Sequence, residues 1–204
     1  MVLRFCKIRR SQLEHLRLWR MSSDVTRFMF TDPDITIEGQ NKWYEGILAD
    51  HSRMDWVINV DGRDMGVVNL YDIDPTNRRC FWAYYLGEAE ARGRRIGTSV
   101  ELNLLDYVFR RLHLHKLCGD VFEWNDFVVK THQKYGSRIE GRFREHIWKS
   151  GEYHNVIRVG ILAQEWEHQV RGKFDYSRAE IEEWEEKTAR LVTSREQQFR
   201  AGQV

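Results

Sequence analysis

A short stretch in the middle of the chain decides the fold: Tyr84-Tyr-Leu-Gly-Glu-Ala-Glu-Ala-Arg92-Gly-Arg-Arg-Ile-Gly97-Thr-Ser. It begins as a strand, passes through a turn rich in glycine and arginine, and ends by opening a helix. Backbone N–H groups of such a turn point outward, and the helix N-terminus adds partial positive charge. The arginines add full charges, and the glycines allow close approach of the backbone. The stretch predicts a phosphate site, with a solvated arginine-rich turn as the alternative.

The common glycine-rich phosphate motifs do not describe this turn. The GxxxxGK[ST] pattern of P-loop proteins is absent, and so is the GxGxxG pattern of dinucleotide-binding domains. The preceding strands are also linked by hairpins rather than by helices. A different phosphate-binding architecture is therefore indicated.

The residues before the turn predict one strand, two helices and three antiparallel strands. Ser11 and Glu14 form a capping box, Thr36 can cap a second helix, and Asp61-Gly62 is a hairpin signal. The expected order is a strand at 2–8, a helix beginning near 11, a loop at 22–36, a helix at 38–50, and strands at 54–60, 65–72 and 79–86.

The residues after the turn predict helices alternating with strands, followed by a charged tail. We expect a helix at 96–112, a strand at 114–122, a helix from 125 to 136, strands at 138–149 and 153–162, and a surface helix at 177–199.

Composition limits the classes of function. The formal net charge of +1 speaks against a dedicated nucleic-acid-binding module. Cys6, Cys80 and Cys118 form no CxxC pair, so neither a disulfide framework nor a zinc site is predicted. No apolar run approaches a membrane span, and the charged N-terminus lacks the apolar core of a signal peptide. We expect a cytoplasmic protein without metal, nucleic-acid or membrane partners.

Three motifs together resemble the GCN5-related N-acetyltransferases. The first is Arg92-x-x-Arg95-x-Gly97, in which an arginine stands where the family usually has its first motif glycine. The second is Asn125 followed by Lys130-Thr-His-Gln-Lys-Tyr-Gly136, with His132 at the position of the family's usual tyrosine. The third comprises Glu140–Arg144, Ser150–Tyr153 and Ile161–Trp166, and is typical of the branch with ribosomal-protein, spermidine and amino-sugar acetyltransferases.

The resemblance implies an α/β fold of the α+β type. It consists of a mixed, mostly antiparallel twisted sheet of about six or seven strands, with helices on both faces. The acetyltransferase domain should span residues 1–166, and residues 167–204 should form a charged helical appendage. The appendage is a candidate contact for a homodimer.

The resemblance also implies acetyl-CoA as the acetyl donor. The pyrophosphate would bind at Arg92, Gly93, Arg94, Arg95, Ile96, Gly97 and Thr98. Tyr84 and Leu86 would contact the cofactor, and Asn125 would touch the pantetheine arm. Asn125 is equally interpretable as a plain helix cap.

Direct attack by an amine on the thioester is the implied reaction. A backbone N–H of the fourth strand, near Tyr84–Leu86, would stabilise the oxyanion. His132 could protonate the departing thiolate, Glu123 could orient the amine, and Tyr85 is a further pocket candidate. The alternatives are a partly exposed histidine without a catalytic part for His132, a carboxylate that caps a helix for Glu123, and an ordinary strand residue for Tyr85.

The N-terminal half bears on the acceptor. Its segments Leu18–Arg20, Phe28–Thr31 and Ile35–Glu38 resemble the N-acetyltransferase of pseudaminic acid synthesis. This predicts the 4-amino group of a UDP-linked 4-amino-4,6-dideoxy sugar as the acceptor, with Met29, Phe30 and Asn69 in the pocket. The alternatives are a ribosomal-protein N-terminus, a polyamine, or an acyl-CoA-binding protein with little catalysis.

Overall fold

An eight-stranded mixed sheet forms the centre of the computed structural model, which describes residues 1–91, 93 and 95–201, with side chains to 193. The strands are β1 (Leu3–Lys7), β2 (Met54–Val60), β3 (Arg63–Asp74), β4 (Arg79–Leu86), β5 (Lys116–Phe122), β6 (Arg138–Lys149), β7 (Glu152–Leu162) and β8 (Glu180–Ile181). Their order across the sheet is β6-β7-β5-β4-β3-β2-β1-β8. The β4–β5 and β1–β8 pairs are parallel, whereas the remaining pairs are antiparallel. This confirms the predicted sheet type, with one strand more than expected.

Helices cover both faces of this sheet, as predicted. They are α1 (Leu13–Met21), α2 (Ser23–Thr26), α3 (Ile37–Ala49), α4 (Ile96–Asp106), α5 (Asp126–Lys134), α6 (Ala163–Glu165) and α7 (Glu185–Ala201). On one face, α1 and α3 bury Leu16 and Ile47 with Val57 of β2. On the other face, α4 packs against neighbours of Val57 such as Trp56. Because β2 contacts both helical layers, its residues are almost continuously buried rather than alternating.

Two predicted elements differ in the structure. The segment 22–36, predicted as a loop, contains the short helix α2. The tail helix, predicted at 177–199, begins only at Glu185, because Glu180–Ile181 pair with β1 as a strand. Hydrogen bonding to an open sheet edge outweighed the helical pattern there.

The C-terminal segment packs on the core. Trp184 and Leu191 are buried with the main apolar cluster. The Lys187 ammonium donates to the carbonyl oxygens of Ile47 and Arg53, at 2.8 Å each. The division of the chain at residue 166 stays a prediction, as does a dimer contact through this segment. Among the described residues, no helix is long and apolar enough to cross a membrane.

Candidate active site

The two parallel strands in the centre of the sheet diverge after a short paired section. β4 and β5 are in register only from Arg79–Lys116 to Phe81–Cys118. Beyond that point the Trp82 indole lies against Gly119, where an added Cβ would stand 3.3 Å from Nε1. The divergence opens a cleft of about 340 Å³, which leaves backbone groups of both strands facing it.

Helix α4 begins beside this cleft because Gly97 permits a close contact. A Cβ at Gly97 would lie 2.7 Å from the Tyr84 hydroxyl oxygen. One position further, the Thr98 hydroxyl lies 2.8 Å from the Tyr135 hydroxyl and ties α4 to the end of α5. Ile96 is fully buried. The predicted phosphate turn therefore ends against the cleft wall.

Arg95 adopts the backbone conformation that glycine prefers. Its φ of 58° and ψ of 15° are left-handed, and it is the N-cap of α4. A non-glycine residue in this region costs about 1–2 kcal/mol. Gly93 also has a positive φ, of 77°. The turn retains glycine-like geometry although an arginine replaces the usual glycine; Arg92 and Arg94 lie outside the described residues.

A buried histidine–carboxylate pair lies at the side of the cleft. His132 of α5 lines the cleft, although the side chain is largely enclosed. Its Nδ1 lies 2.8 Å from Oε1 of Glu101 of α4, and Glu101 is only 1% exposed. The Trp82 ring meets the imidazole edge-on at a centroid distance of 5.2 Å. His132 is therefore not the partly exposed histidine of the alternative interpretation.

The other predicted cleft residues are placed as follows. Tyr84, Tyr85, Leu86, Asn125 and Met29 all line the cleft. Burial raises the pKa of both tyrosine hydroxyls, which keeps them neutral; for Tyr84 the charge of Glu101 adds to the effect.

Glu123 and Phe30, predicted for catalysis and for the acceptor pocket, are not among the lining residues of the cleft. The Glu123 carboxylate is bound by Arg142 and by the Asn155 amide, at 2.9 and 2.7 Å to Oε2. The hydrogen bond from Arg142 holds the pKa of Glu123 below its usual value. Phe30 packs edge-on against Phe122 at 4.8 Å instead of facing the cavity.

A second cavity, of about 540 Å³, adjoins the cleft on the side of α1 and α3. Met29 and the β4 segment Ala83–Tyr85 line both spaces, so this segment is their common wall. Asn69 lines the second cavity. Because it opens onto the same β4 segment as the cleft, this cavity is the candidate site for an acceptor.

The acceptor cavity contains charges of both signs. Asp55 is buried and accepts two hydrogen bonds from Arg53, at 2.8 and 2.6 Å. The Asn69 amide lies 3.4 Å from the same carboxylate. Asp34 is an exposed acidic residue at the rim. Arg53 therefore neutralises the buried carboxylate, and the exposed one faces solvent.

Arg20 also lines this cavity. Its Nη2 donates to the Thr31 hydroxyl at 2.7 Å, whereas Nη1 is buried without a hydrogen-bond partner among the described residues. Burial lowers the pKa of this guanidinium from its ordinary value, although an arginine stays charged at neutral pH. The charge of this guanidinium favours an anionic group in the cavity over a cationic one.

Sequence reasoning missed Glu101, Arg20 and Asp55. Glu101 stands in an apolar helical stripe, where a charged residue between Val100 and Leu102 was the available signal. Arg20 lies in the segment Leu18–Arg20 quoted for the amino-sugar resemblance, but no role was predicted for its side chain, and Asp55 carries no local motif. Among the described residues, no group of three or more His, Cys, Asp or Glu side chains could hold a metal ion.

Comparison with known proteins identifies the family. The model of the acetyltransferase (GNAT) domain matches residues 3–138. The chain belongs to this family. The solved spermidine N-acetyltransferase of Vibrio cholerae, in complex with CoA and spermine, has the same fold, with a TM-score of 0.77 and 22% identity. That match covers 81% of this chain and 98% of the other.

Two curated relatives in this GNAT family are similar in sequence. The spermidine N(1)-acetyltransferase of Escherichia coli is 26% identical over 168 residues, covering 81% of this chain and 90% of that enzyme. A putative ribosomal N-acetyltransferase of Bacillus subtilis is 25% identical over 119 residues, covering 58% and 64%. These names agree with a polyamine or ribosomal acceptor better than with an amino sugar.

The chain is thus a GNAT N-acetyltransferase that uses acetyl-CoA. The residues present fit this donor: the cleft between β4 and β5 presents backbone groups, and Gly97 brings the glycine-like turn to its edge. Acetyl-CoA supplies the acetyl thioester, and the residues that line the cleft are the candidates to bind and orient it.

Proposed function

We propose that this acetyltransferase acts on a primary amine of a polyamine such as spermidine. The observation that carries the proposal is the likeness to the Escherichia coli spermidine enzyme, 90% of which is matched. A match of that extent is not restricted to the acetyl-CoA cleft. It therefore supports a related acceptor as well as a shared donor.

The acceptor cavity offers features that a cationic amine can use. Asp34 lines its rim, and an exposed carboxylate attracts ammonium groups. The shared wall, Ala83–Tyr85, lets an amine in this cavity reach a thioester in the cleft. Holding both reactants on one wall supplies orientation, which is a large part of catalysis in such reactions.

His132 is proposed as the acid that protonates the departing sulfur. It lines the cleft next to β4, where Tyr84, Tyr85 and Leu86 are the neighbouring candidates for cofactor contact and oxyanion stabilisation. Glu123 is proposed only as a support of the β5 end, since Arg142 and Asn155 occupy its carboxylate.

A nucleotide-linked amino sugar is the second candidate acceptor. The observation that favours it is the Arg20 guanidinium in the lining of the cavity, because its positive charge suits a phosphate oxygen and repels a polycation. The neutralisation of Asp55 by Arg53 points the same way.

An acceptor panel tests the proposal. Release of free CoA thiol from acetyl-CoA is followed with spermidine, spermine, a UDP-4-amino-4,6-dideoxy sugar and a ribosomal-protein N-terminal peptide. We expect the highest kcat/KM with a polyamine. A higher kcat/KM with the sugar than with a polyamine would favour the nucleotide-linked amino sugar as the acceptor. Binding of acetyl-CoA without turnover of any amine contradicts both.

A further inference from the structure

The buried partner of His132 has no role in the scheme above. Glu101 stands on α4, in a stretch whose neighbours Val100 and Leu102 are at most 1% exposed. A carboxylate in such surroundings is strongly disfavoured unless it is paired. Its Oε2 is buried and has no hydrogen-bond partner among the described residues. The interaction of Oε1 with His132 is therefore what offsets the cost of burying this carboxylate.

The hydrogen bond between Glu101 and His132 selects one arrangement of the imidazole. Since an ionised carboxylate only accepts, Nδ1 of His132 must carry the proton at 2.8 Å from Oε1. The remaining nitrogen, Nε2, is left for the cleft that the ring lines. The same carboxylate stabilises positive charge on the ring, which the protonated form requires.

The other neighbours of the ring do not compete with this assignment. Trp82 meets it edge-on, and Tyr84 stacks on Trp82 at 5.6 Å with a hydroxyl that burial keeps neutral. Asp120 also lines the cleft, but Arg158 binds both of its oxygens, at 2.8 and 2.7 Å. Glu101 is therefore the carboxylate in direct contact with the imidazole.

We propose that Glu101 is a positioning residue that holds His132 with Nε2–H directed at the leaving sulfur. The inference rests on the acetyl transfer proposed above. As the amine nitrogen bonds to the acetyl carbon and the carbon–sulfur bond breaks, Nε2–H gives its proton to the sulfur, and CoA leaves as the thiol. The amine loses one proton to water. His132 becomes neutral, retains Nδ1–H on Glu101, and regains its proton from solvent.

A double-mutant cycle tests this role. The variants are Glu101→Gln, His132→Gln and the combination, assayed with the amine that wild type turns over fastest in the panel. We expect Glu101→Gln to lower kcat about 100-fold while KM for acetyl-CoA changes less than about twofold. When Glu101→Gln is added to His132→Gln, kcat should fall little further, because Glu101 acts through His132.

Asp106→Asn is the matched control. Asp106 is a half-buried carboxylate on the same helix, bound to Trp166, Arg171 and Tyr176 away from the cleft. The Asp106→Asn substitution should lower thermal stability without lowering kcat. A Glu101→Gln kcat equal to that of wild type overturns the proposal, as does an equal loss in both backgrounds.

Nitrogen NMR of wild type covers the case in which Glu101→Gln does not fold. We expect the 15N shift of His132 Nδ1 to be that of a protonated nitrogen, whether the ring is charged or neutral, because Glu101 holds the proton on Nδ1 in both forms. An unprotonated Nδ1 overturns the proposal without any variant. The two failures are distinguishable: absence of amine turnover by wild type rejects the proposed function, whereas normal turnover with an insensitive Glu101 variant rejects the positioning role alone.

Discussion

The cleft and the acceptor cavity share a wall but are built differently. The cleft lies between two strands whose divergence is a main-chain feature, and regular elements line most of it. The acceptor cavity is lined by the end of α1, the segment 31–36, α3 and three strands. Its character depends on side chains such as Arg20, Arg53 and Asp55.

This difference explains why the cleft and the acceptor cavity respond differently to an amino-acid substitution. The cleft keeps its geometry although Arg95 replaces a glycine, because the backbone still adopts the left-handed conformation. In the acceptor cavity one arginine changes the preferred charge of the ligand. Under the proposed function, donor binding depends mainly on the backbone, and acceptor choice depends on a few side chains.

The largest effect is expected at the acid of the cleft. His132→Ala should lower kcat about 10²–10⁴-fold, because protonation of the departing sulfur is lost. KM for acetyl-CoA should stay within about twofold, since the backbone of the cleft is unchanged. Steady-state kinetics of both substrates measure this.

The exposed His168 provides the control for that change. His168→Ala should have the kinetics of wild type. Wild-type turnover in His132→Ala would contradict a catalytic role for His132. Another group would then have to protonate the departing sulfur.

A smaller effect is expected in the acceptor cavity. If the acceptor is a polyamine, Arg20 is an unfavourable charge, and Arg20→Met should lower KM for spermidine about 3–10-fold, corresponding to roughly 1 kcal/mol. Michaelis constants for spermidine at saturating acetyl-CoA measure the change. Arg63→Met removes an exposed positive charge paired with Glu90 and should leave KM unaltered. A tenfold increase in KM for spermidine in Arg20→Met would contradict the predicted repulsion between Arg20 and the polyamine.

The smallest effect concerns stability at the phosphate turn. Arg95→Gly should raise the free energy of unfolding by about 1 kcal/mol, because glycine adopts a φ of 58° without steric cost. Thermal unfolding should shift upward by about 2–4 °C. Arg95→Ala removes the same side-chain charge but keeps the strained backbone, so it should not stabilise. Equal stability of the two variants would contradict the role of strain.

Some of this molecule was readable in the sequence. The hairpin at Asp61-Gly62, the strand before the arginine turn and the helix after it have local causes, namely turn chemistry and hydrophobic period. The motif around Asn125 and His132 likewise placed two residues on the cleft. Such features depend on residues near one another in the chain.

Other features were decided by tertiary structure alone. The pairing of Glu180–Ile181 with β1 joins segments about 175 residues apart, and no local period announces it. Glu101 and His132 meet because α4 and α5 pack on the same side of the diverging strands. Arg20 and Asp55 enter one cavity from separate elements. The sequence by itself determined most strands and helices and the glycine–arginine turn. Packing over long separations decided the pairing of β8 and which charges line the acceptor cavity, since burial and pairing energies depend on spatial neighbours.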